Sequence, residues 1–485
     1  MGYIDIDKNN IERCLMSMLT VTSKEVYAIY DDELENLCAR RTDIVEDPVK
    51  GFTRKSKVTI PVLINCLVSA GAEGMKLVVQ DFTNDDTEWP QEKGVPYIST
   101  FTEARKKLKP KAFSDLFSAV SRRLEGLAEW TNEEGMNYHL LPRAVDGTSF
   151  PYDSSSEFSD ESYSAKGTRA WVQECTAIYD LETNMFTDAV IHGCKGKYTG
   201  EPADFCTMID RAEVPGETRV LYIADRAYAV PNVLAHLQES GQFFLIRDKE
   251  VDAAGFVGSL QLPETAFDQD MEIRIGRCVP HTPQTIPNVW NRCIAATTRF
   301  DYIEPDSFET YTLHLRVVRL KVDGTWVVLL TNLPRDKYSI DGLRALYAMR
   351  WGEETAFRDM KYTLGTLSFH SRLDKLITQE IWAKLLLYNI CAVIASSAPA
   401  VILEDAGNGP VPKCVEEFQT KGPGRIAVDF VVAVHSIRLN LIRRSKTSVK
   451  LAEEIVMYKE RIEPGRHEER HMHPRRRFYL NYRAA

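Results

Sequence analysis

Four chemically active side chains occur at helical spacing in the second half of the sequence. They are Tyr347, Arg350, Glu354 and Lys361, in a stretch without proline. At about 100° per residue, these four positions fall within roughly 60° of one another on a helix. Such a face can hold a metal ion or a phosphate, or it can be a solvated face stabilised by i,i+4 pairs. Apolar residues occupy a separate arc that the helix would bury: Leu346, Met349, Ala356, Phe357, Met360 and Leu364.

Two aspartates follow apolar runs that are typical of strands. Asp146 comes after the predicted strand 137–145, and Asp225 comes after the apolar run 220–224. Ligands bind at strand ends in open α/β sheets. We therefore expect these two carboxylates to meet each other and the helical Glu354.

The ordered set resembles the DDE transposases of bacterial insertion sequences. Asp146 is followed by Gly147 and Thr148, and residues 225–228 read Asp-Arg-Ala-Tyr. The intervals of two, three and six residues between the tyrosine, arginine, glutamate and lysine are those of one subgroup. This subgroup is the insertion sequence four family with its cut-and-paste relatives, and the resemblance covers residues 140–400.

The resemblance implies a DNA transposase with an active site of three carboxylates. It would excise an insertion sequence bounded by terminal inverted repeats, through a hairpin intermediate, and transfer its strands to target DNA. Carboxylate oxygens are hard ligands, so two Mg²⁺ or Mn²⁺ ions are expected rather than zinc. Two ions can activate a water or a 3′-hydroxyl and stabilise the leaving oxygen. We assign Asp146 as the bridging ligand, with Asp225 and Glu354 each completing one site.

The resemblance also implies contacts with DNA. Arg350 and Lys361 would hold the phosphate next to the scissile bond, and Tyr347 would donate its hydroxyl to a neighbouring phosphate. Trp326 matches the position that accepts a base flipped from the transposon end, although it can instead fill the core of its domain. Further candidate contacts are Thr148, Arg247 and Lys249. Alternatively, Thr148 only satisfies the hydrogen bonds of its own turn.

The order of predicted elements indicates an α/β fold. Strands at 137–145, 170–179, 185–192, 219–224 and 242–246 enclose helices at 203–212 and 230–239. This order matches a ribonuclease-H-like, or retroviral-integrase-like, core. The segment 251–330 looks like a β-rich insertion, because Asp323 and Gly324 separate two apolar runs as in a hairpin.

Length predicts several domains, because 485 residues exceed what one hydrophobic core usually organises. We expect a helical N-terminal DNA-binding domain at 1–135 and a core at 136–250 and 331–400. The insertion would span 251–330, and a linker and basic region would span 401–485. Two transposase copies would form a homodimer in the synaptic complex with double-stranded DNA.

Composition is compatible with a bacterial cytoplasmic, nucleoid-associated protein. The ten cysteines form no Cys-x-x-Cys pair, which argues against a disulfide framework and a thiolate zinc site. We see no run of 18 apolar residues and no charged leader, so we expect no membrane association.

The net charge of −9 is unusual for a DNA-binding protein, but the charges are unevenly distributed. Residues 436–485 contain 13 Lys and Arg against 6 Glu, a net of +7. Basic clusters occur at Lys50, Arg54, Lys55 and Lys57 and at Arg105, Lys106, Lys107, Lys109 and Lys111. The second cluster follows a predicted cap at Ser99 or Thr100. It indicates either a helix-turn-helix motif that binds the major groove of DNA or a helical domain that only packs against the rest of the protein. The resemblance favours the DNA-binding motif.

Other possibilities remain open at this stage. A domesticated repressor would bind DNA without cleaving it, and a metal-dependent nuclease would use the same core without strand transfer. In the tail, His467, His471 and His473 have ligand-like spacing, but no nearby cysteine supports zinc, and phosphate contact by a basic tail is preferred.

Overall fold

The fold was examined in a computed structural model. The residues that it describes are 21–54, 56–85, 94–128, 138–152, 163–165, 168–193, 200–214, 218–258, 260, 262–277, 289–322, 324–407, 409–419 and 426–461. Lys55, the three tail histidines and residues 462–485 lie outside the described residues, so the proposals for them are not addressed by the structure.

A mixed sheet of ten strands forms the centre of the molecule. Its strands are β1 His139–Tyr152, β2 Tyr163–Ala165, β3 Thr168–Asp180, β4 Met185–His192, β5 Thr218–Ala224, β6 Phe243–Asp248, β7 Phe267–Gly276, β8 Val289–Cys293, β9 Thr310–Val322 and β10 Thr325–Thr331. The order is β2-β3-β1-β5-β6-β10-β9-β7-β8, with β4 also paired to β3. Strands β1, β5 and β6 run parallel, whereas β3 and β4 form antiparallel ladders. A mixed α/β fold is therefore confirmed.

The two faces of the sheet carry separate apolar cores because strand residues alternate between faces. On β1, Leu140 and Ala144 belong to one core, and Leu141 and Val145 belong to the other. The first core includes the N-terminal helices and the helix Asp374–Ala406. The second core includes the helices Glu201–Asp210 and Pro231–Glu239 and much of the region 251–330.

The helices cover both faces of the sheet. They are Ser23–Ala39, Arg41–Ile44, Ile60–Val68, Met75–Asp85, Ile98–Lys106, Lys111–Glu125, Glu201–Asp210, Pro231–Glu239, Ile340–Ala348, Trp351–Tyr362, Asp374–Ala406, Lys413–Glu416, Phe430–Arg443 and Ser448–Val456. A 3₁₀ turn at Glu417–Gln419 and a two-stranded sheet of β11 (Ile426–Val428) and β12 (Lys459–Arg461) complete the described elements. Helix Ile98–Lys106 has Tyr97 as its N-cap, so the predicted cap at Ser99 or Thr100 is wrong.

The helix Asp374–Ala406, called the central helix below, is long and apolar enough to cross a membrane by length and composition. Its most apolar window is 83% buried inside the protein. Buried core helices pass the same hydropathy test, and this one packs against N-terminal helices, strand β4 and the helices Phe430–Arg443 and Ser448–Val456.

The hairpin predicted within 251–330 is present and enlarges the sheet. Strands β9 and β10 pair in antiparallel register, and Gly324 has a φ of +80° at their turn. That φ lies where residues with a Cβ are disfavoured. Strand β10 also pairs with β6, so the β-rich region continues the sheet of the core without a break.

The N-terminal helices are tied to the central helix by buried polar contacts. Gln379 donates hydrogen bonds to the backbone carbonyls of Arg105 and Leu108. Asn389 donates to the Ser121 hydroxyl. Because these contacts join the first third of the chain to the same core, the N-terminal region is not packed as a separate body.

Arg105 is a buried structural residue, so the prediction that it contacts DNA is wrong. Its side chain is only 2% exposed, and its Nη2 lies 2.8 Å from Glu380 Oε1 and 2.9 Å from the carbonyl oxygen of Leu376. Burial favours the neutral acid at Glu380, but the charges of Arg105 and His370 outweigh it and lower the pKa of Glu380 to about 2. Lys106 and Lys107, in contrast, are exposed.

Arg105→Ala is expected to lower the free energy of unfolding by about 3–5 kcal/mol, because it leaves Glu380 buried without its principal cation. The lowered pKa means that this contribution is present above the ordinary glutamate pKa and disappears as pH falls through about 2. Lys107→Ala should change stability by less than about 0.5 kcal/mol. Urea denaturation measures both; unchanged stability of the Arg105 variant with weakened DNA binding would restore Arg105 as a DNA contact.

Candidate active site

Strand register places the two aspartates side by side. In the parallel pair of β1 and β5, Val145 is the partner of Ala224, which is the last residue of β5. The next residues along the two strands are Asp146 and Asp225. Asp225 is the first residue after β5, as predicted, and its Oδ1 accepts the Ala227 N–H at 2.7 Å in a turn.

Asp146 lies within a strand rather than at its end, so the prediction of the strand boundary is wrong. β1 continues to Tyr152 because its far half pairs with β3, where Asp146 is opposite Ala177. Of the two strands that pair with β1, β5 ends beside Asp146, whereas β3 continues to pair with β1 as far as Tyr152. The backbone of Asp146 is therefore held by the ladder with β3 alone.

Arg350 connects Asp146 to Glu354. Its Nη2 lies 2.9 Å from Glu354 Oε1, and its Nη1 lies 4.0 Å from Asp146 Oδ2. Burial raises the pKa of Asp146, and the negative charges of Asp225 and Glu354 add to the rise, while the Gly147 N–H and Arg350 oppose it. Arg350 thus lies between Asp146 and Glu354, and the charge of Asp225 also acts on Asp146.

The stretch 347–361 is two helices and not one. Helix Ile340–Ala348 ends before Met349 and Arg350, and helix Trp351–Tyr362 follows. Across the junction the amides of Gly352 and Glu353 bond to carbonyls three residues earlier, so the turn is tightened to 3₁₀ type. Arg350 therefore lies at the junction, where its side chain reaches both carboxylates.

The other two signature residues lie on either side of this junction. Burial raises the pKa of Tyr347 in spite of the nearby positive charges of Arg350 and Arg247, so its hydroxyl stays protonated as a donor. Lys361 is half-buried, with Nζ 5.5 Å from the centre of the Phe150 ring. Burial lowers the pKa of Lys361.

Two glutamates at the site were not predicted. Glu353 is fully buried close to Asp146. Burial, and next the charge of Asp146, raises the pKa of Glu353 well above its usual value. A signal existed in the sequence, because position 353 falls within the arc of apolar residues that the helix was expected to bury.

Glu201 is the second unpredicted residue. It is the first residue of helix Glu201–Asp210, which belongs to the opposite layer, and its carboxyl group lies against the backbone of Gly147. Burial, and next the charges of Asp146 and Asp225, raises the pKa of Glu201. Nothing in its local sequence distinguishes it from an ordinary acidic residue in a first helical turn.

The other predicted DNA contacts are more widely spread. Trp326 is half-buried on β10, outside the apolar cores, with Arg319 Cζ 3.9 Å and Lys321 Nζ 4.9 Å from its ring centre. Arg247 is half-buried on β6, and exposed Lys249 donates its Nζ to the Ala254 carbonyl at 2.9 Å. The half-buried Thr148 lies two residues beyond Asp146 on β1.

The donor set suits a hard divalent cation. Asp146, Asp225, Glu354 and Glu201 supply only carboxylate oxygens, and Arg350 offsets part of the charge of Asp146 and Glu354. The buried Glu353 adds a further acid group near Asp146. Among the described residues, no three His, Cys, Asp or Glu side chains lie close enough to enclose one ion.

Comparison with known proteins identifies the region that contains this site. Residues 140–390, just over half of the chain, match the sequence profile of a family described as "Transposase DDE domain". A solved structure titled "Cryo-EM structure of piggyBac transposase synaptic complex with hairpin DNA (SNHP)" aligns with 92% of this chain and 84% of that chain. The sequence identity is 11%, and the TM-score is 0.35. No curated protein matches the sequence.

Asp146→Asn is expected to stabilise the protein at pH 7 when divalent ions are absent. Because folding raises the pKa of Asp146 above its ordinary value of 3.8, its contribution to stability is full below that value and is lost as pH rises through the folded-state pKa. The neutral amide should raise the thermal midpoint by about 1–3 °C. The gain should vanish below the ordinary aspartate pKa.

Asp188→Asn is the matched control for this measurement by differential scanning fluorimetry. The Asp188 carboxylate accepts two hydrogen bonds from Arg211, at 2.8 and 2.6 Å, so its neutralisation should lower the midpoint slightly at pH 7. A lower midpoint for the Asp146 variant would show that its negative charge stabilises the site without a cation.

Proposed function

The chain belongs to the transposase DDE domain family, and on this basis we propose that it is a cut-and-paste transposase of a bacterial insertion sequence. It would bind the terminal inverted repeats of its element, excise the element and join its ends to target DNA. The observation that carries the proposal is the placement of Asp146 beside Asp225 at the end of the β1–β5 ladder, with Arg350 joining Asp146 to Glu354.

The catalytic core in this proposal is ribonuclease-H-like. The five neighbouring strands β4, β3, β1, β5 and β6 support the assignment. The first three pair in antiparallel fashion, β5 and β6 continue parallel to β1, and helices cover both faces. The core would comprise 136–250 and 331–400, with the insertion at 251–330. The N-terminal region 1–135 and the C-terminal region 401–485 would bind DNA while packed on this core.

The intervals between Tyr347, Arg350, Glu354 and Lys361 support membership of the tyrosine, arginine, glutamate and lysine subgroup, the insertion sequence four family. In this assignment Lys361 and Arg350 hold the phosphate next to the scissile bond. The protonated hydroxyl of Tyr347 donates a hydrogen bond to a neighbouring phosphate. The action takes place on the nucleoid, in the bacterial cytoplasm.

Divalent ions would be held in pairs of carboxylates: Asp146 with Asp225, and Asp146 with Glu354. Two Mg²⁺ or Mn²⁺ ions so held supply activation of the attacking oxygen and stabilisation of the leaving oxygen in phosphoryl transfer. The protein's own part is to fix these carboxylates on β1, after β5 and on a helix that packs against β1. Arg350, no longer needed to offset Glu354, would then be available for a bidentate contact with phosphate.

A hairpin intermediate is the proposed route of excision. Trp326 supports it, because the indole is half-buried beside Arg319 and Lys321 and outside the apolar cores. An aromatic ring flanked by cations can stack with a flipped base while the cations hold its phosphates. Arg247, Lys249, Thr148, Lys106 and Lys107 would contact the DNA backbone in a homodimeric complex of two ends.

Asp225→Asn and Glu354→Gln are each expected to reduce cleavage of a terminal-repeat duplex by at least about 10³-fold, because each removes a charged oxygen ligand of the proposed ions. Binding of the same duplex should remain within about twofold. Gel assays of cleavage and band shift in Mg²⁺ measure both quantities. Asp341→Asn is the control, since Asp341 is exposed and pairs only with Arg344 three residues away.

Cleavage retained by the Asp225 variant would refute the active-site assignment. A pre-cleaved end then separates transposase from the two rival functions. Joining to target DNA indicates a transposase, hydrolysis without joining indicates a nuclease, and binding without either reaction indicates a repressor.

Trp326→Ala is expected to block hairpin formation while leaving the first nick, because only the second step requires a flipped base. We expect hairpin product to fall by about 10-fold or more, on the scale of one lost stacking interaction. Trp326→Phe should recover a large part of the product. Denaturing gels resolve nick and hairpin; equal loss of both products in the Ala variant would point to a structural role for the indole.

A further inference from the structure

We propose that Phe150 is a positioning residue of the active site, which fixes the place of the Lys361 ammonium group by a cation–π contact. This inference rests on the proposed function, in which Lys361 holds the phosphate next to the scissile bond. It assigns a role to a fully buried ring that follows Asp146 on the same strand.

Strand β1 and the helix that carries Glu354 meet at two places. On β1, Asp146 and Phe150 share a face, because alternate residues do, and they are about 13 Å apart. On the helix, Glu354 and Lys361 are separated by two turns, or about 10 Å. Arg350 joins Asp146 to Glu354 at the first place. At the second place, Lys361 Nζ lies 5.5 Å from the centre of the Phe150 ring.

The Phe150 ring is the direct contact of the ammonium group. Among the residues that the structure describes, no carboxylate lies within ion-pair distance of Lys361, and the charges of Glu174 and Asp146 act on it only from farther away. A lysine side chain is a flexible stem with a compact charge at its end. Without an anchor, the ammonium group would occupy many positions, so the ring restricts where it lies.

The Phe150 ring is itself held by other aromatic side chains. Phe369 lies nearly perpendicular to it, with the ring centres 6.4 Å apart and the planes at 80°. Tyr152 contacts the same Phe369 ring at 6.4 Å and 84°. Such perpendicular pairs are a preferred arrangement of aromatic rings. The Tyr152 hydroxyl donates in turn to Asp374, so the support extends from β1 to the start of the central helix.

The loop that carries Phe369 is fixed on both sides of this residue. The Thr366 hydroxyl donates to the carbonyl oxygen of Met360 at 2.6 Å, in the preceding helix. The His370 N–H donates to Glu380 Oε2 at 2.9 Å, on the central helix. The ring behind Phe150 is therefore kept in place by hydrogen bonds to two helices.

Packing of the lysine stem alone would give a similar picture. Lysine side chains often lay their methylene groups on apolar surface while the ammonium group reaches water. In that case, any apolar residue of similar size would serve at position 150. A cation–π contact depends instead on the electron density of the ring face. The two explanations therefore differ in their response to a change in ring electronics at constant shape.

The test replaces Phe150 in the full-length protein with leucine and, by site-specific incorporation, with mono-, di- and pentafluorinated phenylalanine. Cleavage of a terminal-repeat duplex at saturating DNA and Mg²⁺ should slow stepwise with fluorination, and by about 2–30-fold for the pentafluorinated ring and for Phe150→Leu. KM for the duplex should stay within about twofold, because many other phosphate contacts determine binding.

A Lys361→Met background shows whether the effect of the ring passes through the lysine. Lys361→Met keeps an apolar stem and removes the cation, so it should itself slow cleavage. In this background, Phe150→Leu should change the rate by less than about twofold. Phe186→Leu is the matched control, because Phe186 is a fully buried ring that packs 5.3 Å from Phe357 of the same helix. Its effect should be equal in both backgrounds.

NMR of the protein without DNA measures the contact independently of activity. After reductive methylation with ¹³C-labelled formaldehyde, the N-methyl signal of Lys361 should be shifted upfield by the ring current of Phe150. The spectrum of Lys361→Met assigns this signal, and the shift should disappear in Phe150→Leu. Unfolding midpoints verify that each variant is folded.

The outcomes separate this inference from the proposal on which it rests. An unchanged cleavage rate in Lys361→Met would reject the role of Lys361 in the proposed function itself. Slow cleavage in Lys361→Met with wild-type rates in Phe150→Leu and the fluorinated variants leaves that role standing and overturns the inference. Equal loss from Phe150→Leu in both backgrounds also overturns it, since the ring would then act by packing alone. If Phe150→Leu does not fold, the fluorinated series decides the outcome.

Discussion

The repulsion between carboxylates at the point where the parallel ladder of β1 and β5 ends is the constraint on which the site depends. Val145 and Ala224 are the last pair of the β1 and β5 ladder, so the strands themselves deliver Asp146 and Asp225 to the same edge. Like charges at short range are unfavourable, and burial increases the effect. Arg350 offsets part of it through its contacts with Asp146 and Glu354. In the proposed function, a bound cation would relieve the rest of this repulsion.

That repulsion requires rigid support, and the helical layer provides it. Helix Trp351–Tyr362 packs tightly enough on the sheet that a Cβ at Gly352 would lie 3.0 Å from Leu181 Cδ2. Behind it, the central helix is joined to the N-terminal helices through Arg105, Glu380 and Gln379. Glu354 is thus held by a core that extends through the first third of the chain. Under the proposed function, DNA bound by the N-terminal helices would act on the same packed body that positions Glu354.

The active-site strands could be predicted because their signals are local. An apolar run followed by an aspartate identifies Asp225, and apolar periodicity correctly identifies Ala356, Phe357 and Met360 as buried. Asp146 was also found, although its strand continues past it. That continuation depends on the ladder with β3, which is a non-local pairing that the run itself does not show.

The residues that sequence reasoning misplaced are those whose role depends on a partner far away in the chain. Arg105 reads as one of several surface cations, and only Glu380, 275 positions later, makes it a buried ion pair. Glu201 reads as an ordinary helix start, and only Gly147 shows what its side chain contacts. Glu353 interrupts an apolar arc, so its burial could have been recognised from the sequence, whereas its proximity to Asp146 could not.

Continuity of the sheet determines how the β-rich region can influence the site. Strand β10 pairs with β6 so that Leu329 lies opposite Arg247, and the charge of Arg247 in turn acts on Tyr347. Trp326 lies on that same strand, three residues before Leu329. An unbroken ladder of backbone hydrogen bonds resists hinge motion far more than a linker does. The distance from Trp326 to the carboxylates is therefore set by the sheet, so under the proposed function a base bound at Trp326 would have a fixed position relative to these carboxylates.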